Sequence, residues 1–381
     1  MIQRAIEPTL LNALETFDCI TLLGPRQSGK TTVVKKLFSD YHYINLENPE
    51  DRLIYAEDPK SLFAQYTKII LDEIQNVPTL LSFIQVYLDT RKYKIILTGS
   101  NQLDLRSNIA QSLAGRTAIF KLLPFSLSEI QQIYDSSQPN EWMFKGFYPV
   151  IYDRHQEPTL TYRSYYETYI QRDVRQVINI SAMHLFDKFV RICAGRVGSI
   201  LNFSTISNDL GVSVNTIKSW LSVLEYTFNC YLLQPFYGNI NKRLLKSPKL
   251  YFYDVGLVCY LLGIEHPNQL DTHPLRGEIF ENMVVNEFIK QRFNAGKDHN
   301  GFFYRDSHQV EIDYLRLQPE GIEAFEIKSA YTYTTAFKKN LELVSKIEAI
   351  QMLSKNIIYN GESKMGPFGI QIHNFYDFFT N

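Results

Sequence analysis

The sequence predicts an α/β protein whose first third is a parallel sheet flanked by helices, followed by a mainly helical segment and a second α/β segment. Three observations carry this. From Asp18 to Leu123 short β-rich runs alternate with helical patterns, and the central runs are apolar with little alternation. Strands buried on both faces read this way. From about Gln156 to Leu262 the pattern turns mainly helical. After His266-Pro267 a long helical run leads into three strand-like runs.

In the first segment the strand-like runs are Cys19–Leu23, Tyr41–Leu46, Lys68–Asp72, Lys94–Thr98 and Thr117–Leu123, with helical stretches such as Thr31–Phe38 between them. This alternation is that of βαβ units. In the second segment, Asn202–Thr227 reads as helices Thr205–Leu210 and Val214–Tyr226 joined at Gly211, with Ser204 and Ser213 as their N-caps. The runs CYLLQPFYG and SPKLYFYD follow, separated by the basic NINKRLLK, and the whole suggests a winged helix-turn-helix. In the third, a helix with an apolar face, Gly277–Phe293, precedes strands Gly301–Arg305, Val310–Leu317 and Ile322–Lys328. The expected domains are 1–155, 156–265 and 266–381.

At 381 residues the chain is too long for one ordinary core and implies two or three domains. With 45% hydrophobic and 21% charged residues, a globular fold in water is expected. Lys+Arg number 39 against Asp+Glu 40, so a constitutive nucleic-acid binder is not indicated and any such contact needs a local patch. The 25 Tyr and 25 Phe are read as packing residues. Cys19, Cys193, Cys230 and Cys259 form no CxxC pair and no zinc-finger spacing, which suggests reduced thiols in the cytoplasm. The N-terminus carries acids and lacks a signal-peptide pattern. No run of about 18 apolar residues marks a membrane span.

Gly24-Pro25-Arg26-Gln27-Ser28-Gly29-Lys30-Thr31 matches G-x-x-x-x-G-K-[ST] between an apolar strand and a helix, with Thr32 next in that helix. Glycines let the backbone wrap phosphates with N–H groups inward. Lys30 would set a cation on the β/γ-phosphates, Thr31 would ligate Mg²⁺, and the helix would present its positive end. Lys68–Asp72 ends in Asp72-Glu73. Asp72 would hold Mg²⁺ and Glu73 would polarise the attacking water. Ser100 or Asn101, after the next strand, would orient that water, unless Thr98–Asn101 is an ordinary strand-end turn. Arg116 is either an arginine finger toward a neighbouring copy's ATP or half of a structural ion pair. The cofactors read from these residues are ATP and Mg²⁺.

The segments LLGPRQSGKTT, KIILDEIQ, IILTGSN and SLAGRTAIFKLLPFSLSEI, with YRSYYETYIQRDV, YFYDVGLVCYLLG and RGEIFENMVVNEF further on, resemble AAA-like P-loop ATPases of bacteria and archaea. Members of that group carry a C-terminal domain of unknown function with a restriction-endonuclease-like fold. The resemblance covers almost the whole chain. It implies a sheet order 5-1-4-3-2, a winged helix-turn-helix in the middle, and Gln75 and Arg116 near the nucleotide.

The C-terminal residues make a further set. Glu281 lies on the helix after Gly277, Asp313 on the alternating run VEIDYL beside Glu311, and Glu326 and Lys328 two apart on the next strand. This is the PD-(D/E)XK nuclease pattern, in which carboxylates bind one or two Mg²⁺ or Mn²⁺ ions and the lysine positions water. The same residues also suit an inert scaffold that keeps the fold without cleaving. Asn215, Thr216 and Lys218 begin the second helix of the middle segment, and Lys242, Arg243, Lys246 and Lys249 form a basic run able to meet DNA phosphates. Trp220, Leu221 and Leu224 are expected in the core. Winged helices also bind proteins, so DNA, a protein partner and a second copy of the chain stay open as partners.

Overall fold

The computed structural model describes residues 2–100, 112–134, 136, 138–170, 183–236, 247–306, 308–344 and 351–380. The chain divides into two compact units. The first comprises Met1–Phe125 with the short pieces Tyr226–Phe228 and Phe293–Lys297; the second comprises the remainder.

The first unit is built on five parallel strands, β1 (Cys19–Leu23), β2 (His42–Asn45), β3 (Lys68–Asp72), β4 (Lys94–Gly99) and β5 (Thr117–Lys121). Their order, β2-β3-β4-β1-β5, is the implied 5-1-4-3-2 seen from the other edge. Ile20, Leu22, Ile70 and Ile96 share a cluster with Ile6, with Leu10 of helix Glu7–Thr16 and with Val33 and Val34 of helix Lys30–Leu37. Ile69, Leu71, Ile95 and Leu97 alternate with these along the strands and are equally buried. Both faces are therefore covered, which accounts for the unbroken apolar runs. Two expected runs shorten: Tyr41–Leu46 to β2, and Thr117–Leu123 to β5.

The second unit holds an antiparallel hairpin, β6 (Cys230–Leu233) and β7 (Lys249–Phe252), and a six-stranded mixed sheet. The sheet contains β8 (Gly301–Arg305), β9 (Glu311–Gln318), β10 (Gly321–Lys328), β11 (Met352–Tyr359), β12 (Lys364–Met365) and β13 (Ile370–Asn374), in the order β12-β13-β11-β10-β9-β8. β10, β11 and β13 run parallel, and β8, β9 and β12 antiparallel to their neighbours. Helices Phe203–Leu210 and Val214–Tyr226 precede the hairpin. Trp220, Leu221 and Leu224 are buried as expected, with Trp220 against Phe186 and Phe189. Asn202, not Ser204, caps the first helix, because the helix starts at Phe203 and Ser204 falls inside its first turn. Ser213 accepts from the Thr216 N–H and caps the second.

Helix Arg276–Asn294 departs most from expectation. Residues 279–290 are buried all round rather than on one apolar face. Its polar residues are paired. Asn282 accepts from the Phe252 N–H at 3.0 Å and donates to the Phe252 carbonyl at 2.8 Å, as a neighbouring strand would. Asn286 donates to the same carbonyl and accepts from Tyr231 Oη. Glu287 accepts from the Leu127 N–H and from Lys290. The helix is thus a polar spine whose groups are satisfied by the elements around it.

All four cysteines are buried free thiols. Among the described residues no helix is long and apolar enough to cross a membrane. The Asn282 pairing gives a direct test. Asn282→Leu strands the Phe252 N–H and leaves its carbonyl to Asn286 alone, and should cost about 1–3 kcal/mol in urea-denaturation stability.

Candidate functional site

The P-loop sits where the parallel strands end, the edge at which α/β sheets bind ligands. β1 delivers Gly24, β3 delivers Asp72 and Glu73, and β4 delivers Gly99 and Ser100. A Cβ at Gly24 would lie 2.1 Å from the Leu122 carbonyl oxygen, so only glycine fits. Gln27 and Gly29 take positive φ, 62° and 95°, which bends the loop back on itself before helix Lys30–Leu37 starts. Inside the loop, Lys30 Nζ donates to the carbonyls of Gly24 at 3.0 Å and Pro25 at 2.9 Å. Burial pulls its ammonium below the usual lysine range, while Glu73 and Asp72 oppose that pull. Ser28 Oγ is buried with no hydrogen-bond partner, a group that a bound phosphate can satisfy. Arg26 pairs with Glu47 at 3.0 Å, and Thr32 is exposed in the first turn.

Asp72 gathers the rest of the site. Its Oδ2 accepts from Thr31 Oγ1 at 2.8 Å and from Tyr43 Oη at 2.7 Å. Its Oδ1 accepts from Thr98 Oγ1. Thr31 and Asp72, expected to share a metal ion, therefore already touch across 41 residues of sequence. Glu73 has φ 57°, a left-handed conformation costing a non-glycine residue about 1–2 kcal/mol. The turn swings its carboxylate to Ser100 Oγ at 2.8 Å and to Gln75 Nε2. Burial pushes the Glu73 carboxyl up, but Lys30, Gln75 and Ser100 together hold it below the usual carboxylate value. The fold thus brings Lys30, Thr31, Asp72, Glu73, Gln75 and Ser100 together; Asn101 lies outside the described residues. These side chains and the loop fit a triphosphate with Mg²⁺: Lys30 for phosphate, Thr31 and Asp72 for the metal.

Arg116 is elsewhere. Thr117, the next residue, pairs with Cys19 at the start of β1, whereas the loop follows Leu23. Four residue rises, about 13 Å, separate those two ends of the sheet. Arg116 forms a two-pronged pair with Asp89, at 2.7 and 3.1 Å.

In the second unit, Asp313, Glu326 and Lys328 do meet. Asp313 Oδ2 accepts from the Ile327 N–H at 2.7 Å and from Lys328 Nζ at 3.0 Å, and Lys328 also contacts Glu326 at 2.6 Å. Burial and the nearby Asp313 hold the Glu326 carboxyl well above its usual value. Burial acts the same way on Asp313, but Lys328, Lys249 and the Ile327 amide outweigh it and keep Asp313 low. Of the two acids, Glu326 keeps the proton and Asp313 the charge.

Glu281 is held by a residue assigned elsewhere from sequence. Lys249, read above as part of a basic run facing phosphates, is 2% exposed on β7. Its ammonium binds Glu281 at 3.0 Å and Glu311 at 2.6 Å. Tyr251 Oη donates to the same Glu281 oxygen. Burial lowers Lys249, yet Glu281, Asp313 and Glu311 keep it well above the ordinary lysine value. Two ammonium groups thus stand among the four carboxyls, and no set of three or more His, Cys, Asp or Glu among the described residues is arranged for a metal ion. In this arrangement the carboxyls are paired with Lys249 and Lys328. Lys242, Arg243 and Lys246 lie outside the described residues, while Asn215 and Lys218 are exposed and Thr216 half-buried.

Sequence reading also missed Arg4, Tyr43 and Thr98 in the first unit. Tyr43 and Thr98 sit within strand-like runs, but only the cross-strand register, which the sequence does not carry, brings them to Asp72; Arg4 gave no signal either. Removing the Lys249 charge should show its role. Lys249→Met alone leaves buried carboxylates unpaired and should cost about 3–5 kcal/mol, measured by urea denaturation. Adding Glu281→Gln should recover about 1–3 kcal/mol of that loss.

Three family models match the chain in turn: an AAA domain over residues 16–131, a domain of unknown function (DUF8612) over 136–268 and a domain of unknown function (DUF4143) over 276–373. An uncharacterized protein of Mycobacterium tuberculosis is 28% identical over 93% of this chain and 79% of its own length. One of Methanocaldococcus jannaschii is 25% identical over 77% of this chain and 71% of its own length. Among solved structures, a Walker-type ATPase of Pyrococcus abyssi aligns with TM-score 0.46 and 16% identity, covering 68% of this chain and 96% of that one. The five-stranded parallel sheet and its P-loop thus lie within a segment that is similar to AAA domains.

Proposed function

We propose that this chain binds ATP with Mg²⁺ and hydrolyses it, and that turnover changes the conformation of the chain. The observation that carries the reading is the 2.8 Å contact between Thr31 and Asp72, made beside a lysine buried in a glycine loop. Lys30 grips the phosphates, Thr31 and Asp72 hold the metal, and the loop amides of Gly24–Thr31 surround the chain of phosphates, with Thr32 extending the helix start. Magnesium supplies charge neutralisation on the phosphate oxygens. Glu73 is the general base, held ionised, and Ser100, with Asn101 as the second candidate, orients Glu73 and the water. Arg116, at the opposite end of its own sheet, acts as an arginine finger only toward a neighbouring copy, so that role, unlike turnover itself, requires a homo-oligomer.

The remainder of the chain is read as a winged helix-turn-helix followed by a nuclease-like fold. The lysine-filled carboxyl cluster favours an ATP-switched interaction module that does not cleave over an active nuclease built on Glu281, Asp313, Glu326 and Lys328. DNA contact through Asn215, Thr216 and Lys218 remains compatible with that module, as does a protein partner.

Lys30→Ala should abolish ATP binding in calorimetry. Glu73→Gln should bind ATP yet turn it over about a hundredfold more slowly or worse. Because its pKa is depressed, Glu73 is already ionised at neutrality. Turnover should therefore not vary with pH through this group between about pH 6 and 8, falling only on acidification toward the carboxylate range. For the second unit, wild type and Asp313→Ala are incubated with single- and double-stranded DNA, Mg²⁺ or Mn²⁺, and ATP. No cleavage by either is expected; cleavage by wild type that Asp313→Ala loses would restore the nuclease reading.

A further inference from the structure

The loop amides can face a phosphate only if the loop carbonyls face away, and each buried carbonyl needs a donor. Lys30 provides one for Gly24 and one for Pro25. The Ser28 carbonyl is met from outside the motif. Arg4 Nη1 donates to it at 2.7 Å, and Arg4 Nη2 donates to the Leu123 carbonyl, just past β5, at 2.8 Å. The guanidinium is 3% exposed and lies over the Phe125 ring at 4.8 Å. Its own backbone N–H is fixed by Glu7, whose carboxylate also binds Lys36 of the P-loop helix at 2.8 Å.

We infer that Arg4 is a positioning residue for the nucleotide site: it pins the Ser28–Gly29 peptide so that the Gly29 amide points into the phosphate cradle. The reasoning is geometric. In a trans peptide the carbonyl and the following N–H point in opposite directions across one rigid plane. Holding the Ser28 oxygen toward Arg4 turns the Gly29 hydrogen the other way. Gly29 itself is at φ 95°, where the plane would otherwise be free to swing, since glycine has no side chain to limit it. A lysine cannot replace the arginine fully, because its single ammonium cannot bridge two carbonyls with the fixed spacing of a guanidinium fork.

The inference rests on the ATPase reading, and the test separates the two. Steady-state ATPase kinetics and ATP calorimetry are run on full-length wild type, Arg4→Met, Arg4→Lys, Glu7→Gln and Lys30→Ala. Arg4→Met should raise KM and the calorimetric Kd for ATP roughly tenfold while kcat stays within about twofold, because Arg4 shapes the cradle and touches no reacting atom. Arg4→Lys, which keeps the buried charge and guards against a failure to fold, should fall between Arg4→Met and wild type. Glu7→Gln perturbs the same corner but leaves the guanidinium, and should leave KM unchanged. If Lys30→Ala loses ATP while both Arg4 variants keep wild-type KM, the pinning role is wrong and the ATPase reading survives. A fall in kcat matching the rise in KM, or an equal effect from Glu7→Gln, would reduce Arg4 to general support and also overturn it. If wild type binds no ATP, both fail together.

Discussion

Everything in the first unit depends on where the P-loop carbonyls go. A loop that gathers N–H groups on its inner side must send its oxygens to the other, where water is scarce. Here two cations take them. Lys30 reaches back to the oxygens of Gly24 and Pro25, and Arg4 reaches across to that of Ser28. The same logic sets the acceptor side. Asp72 is filled by hydroxyls from Thr31, Tyr43 and Thr98, drawn from the P-loop helix and from the strands on either side of β3. The carboxylate is therefore oriented by three elements before any ion arrives, which is the kind of preorganisation that lowers reorganisation on binding. A metal held by Asp72 would compete with Tyr43 for the carboxylate; burial together with Asp72 keeps the Tyr43 phenol firmly protonated.

The second unit solves a related problem with the opposite outcome. Carboxyls brought together on a helix and two strands repel one another unless a cation or a proton intervenes. Both intervene here. Lys328 and Lys249 supply charge, and Glu326 retains a proton. Lys249 comes from β7, which also offers Phe252 to the amides of Asn282 and Asn286. The hairpin is thus bound to the buried helix by polar groups along its length. Removing one of them takes a bond from a buried partner, so the cluster has structural reasons to persist whether or not it ever held a metal.

Much of this was legible in the sequence because two kinds of signal are local. The apolar runs marked β1, β3 and β4 nearly to the residue, and the P-loop and Asp72-Glu73 named most of the site. The misses share a different character. Arg4 lies outside every motif, and its two acceptors are backbone oxygens 24 and 119 residues away, which leave no mark in a side-chain pattern. Lys249 stands in a basic run and so reads as facing phosphates, although β7 buries it against acids more than thirty residues further on. Helix Arg276–Asn294 reads as having one apolar face; its Asn282, Asn286 and Glu287 are instead buried groups that bind the neighbouring strand and chain. Each miss is a long-range polar pairing, invisible to periodicity.

Arg116 shows how much the sheet's direction constrains chemistry. In a parallel sheet all strands end on the same edge, so a residue preceding a strand is removed from the ligand by the strand's full length. Arg116 precedes β5, while Asp72 ends its strand and Lys30, Glu73 and Ser100 follow theirs. No side-chain rotation on the same chain brings it to the loop. Its partner Asp89 is itself exposed, and an exposed pair is screened by solvent and held only weakly. The pair can open without disturbing the core. A role for Arg116 in phosphate chemistry therefore demands an interface, and without one the residue is a surface ion pair and nothing more.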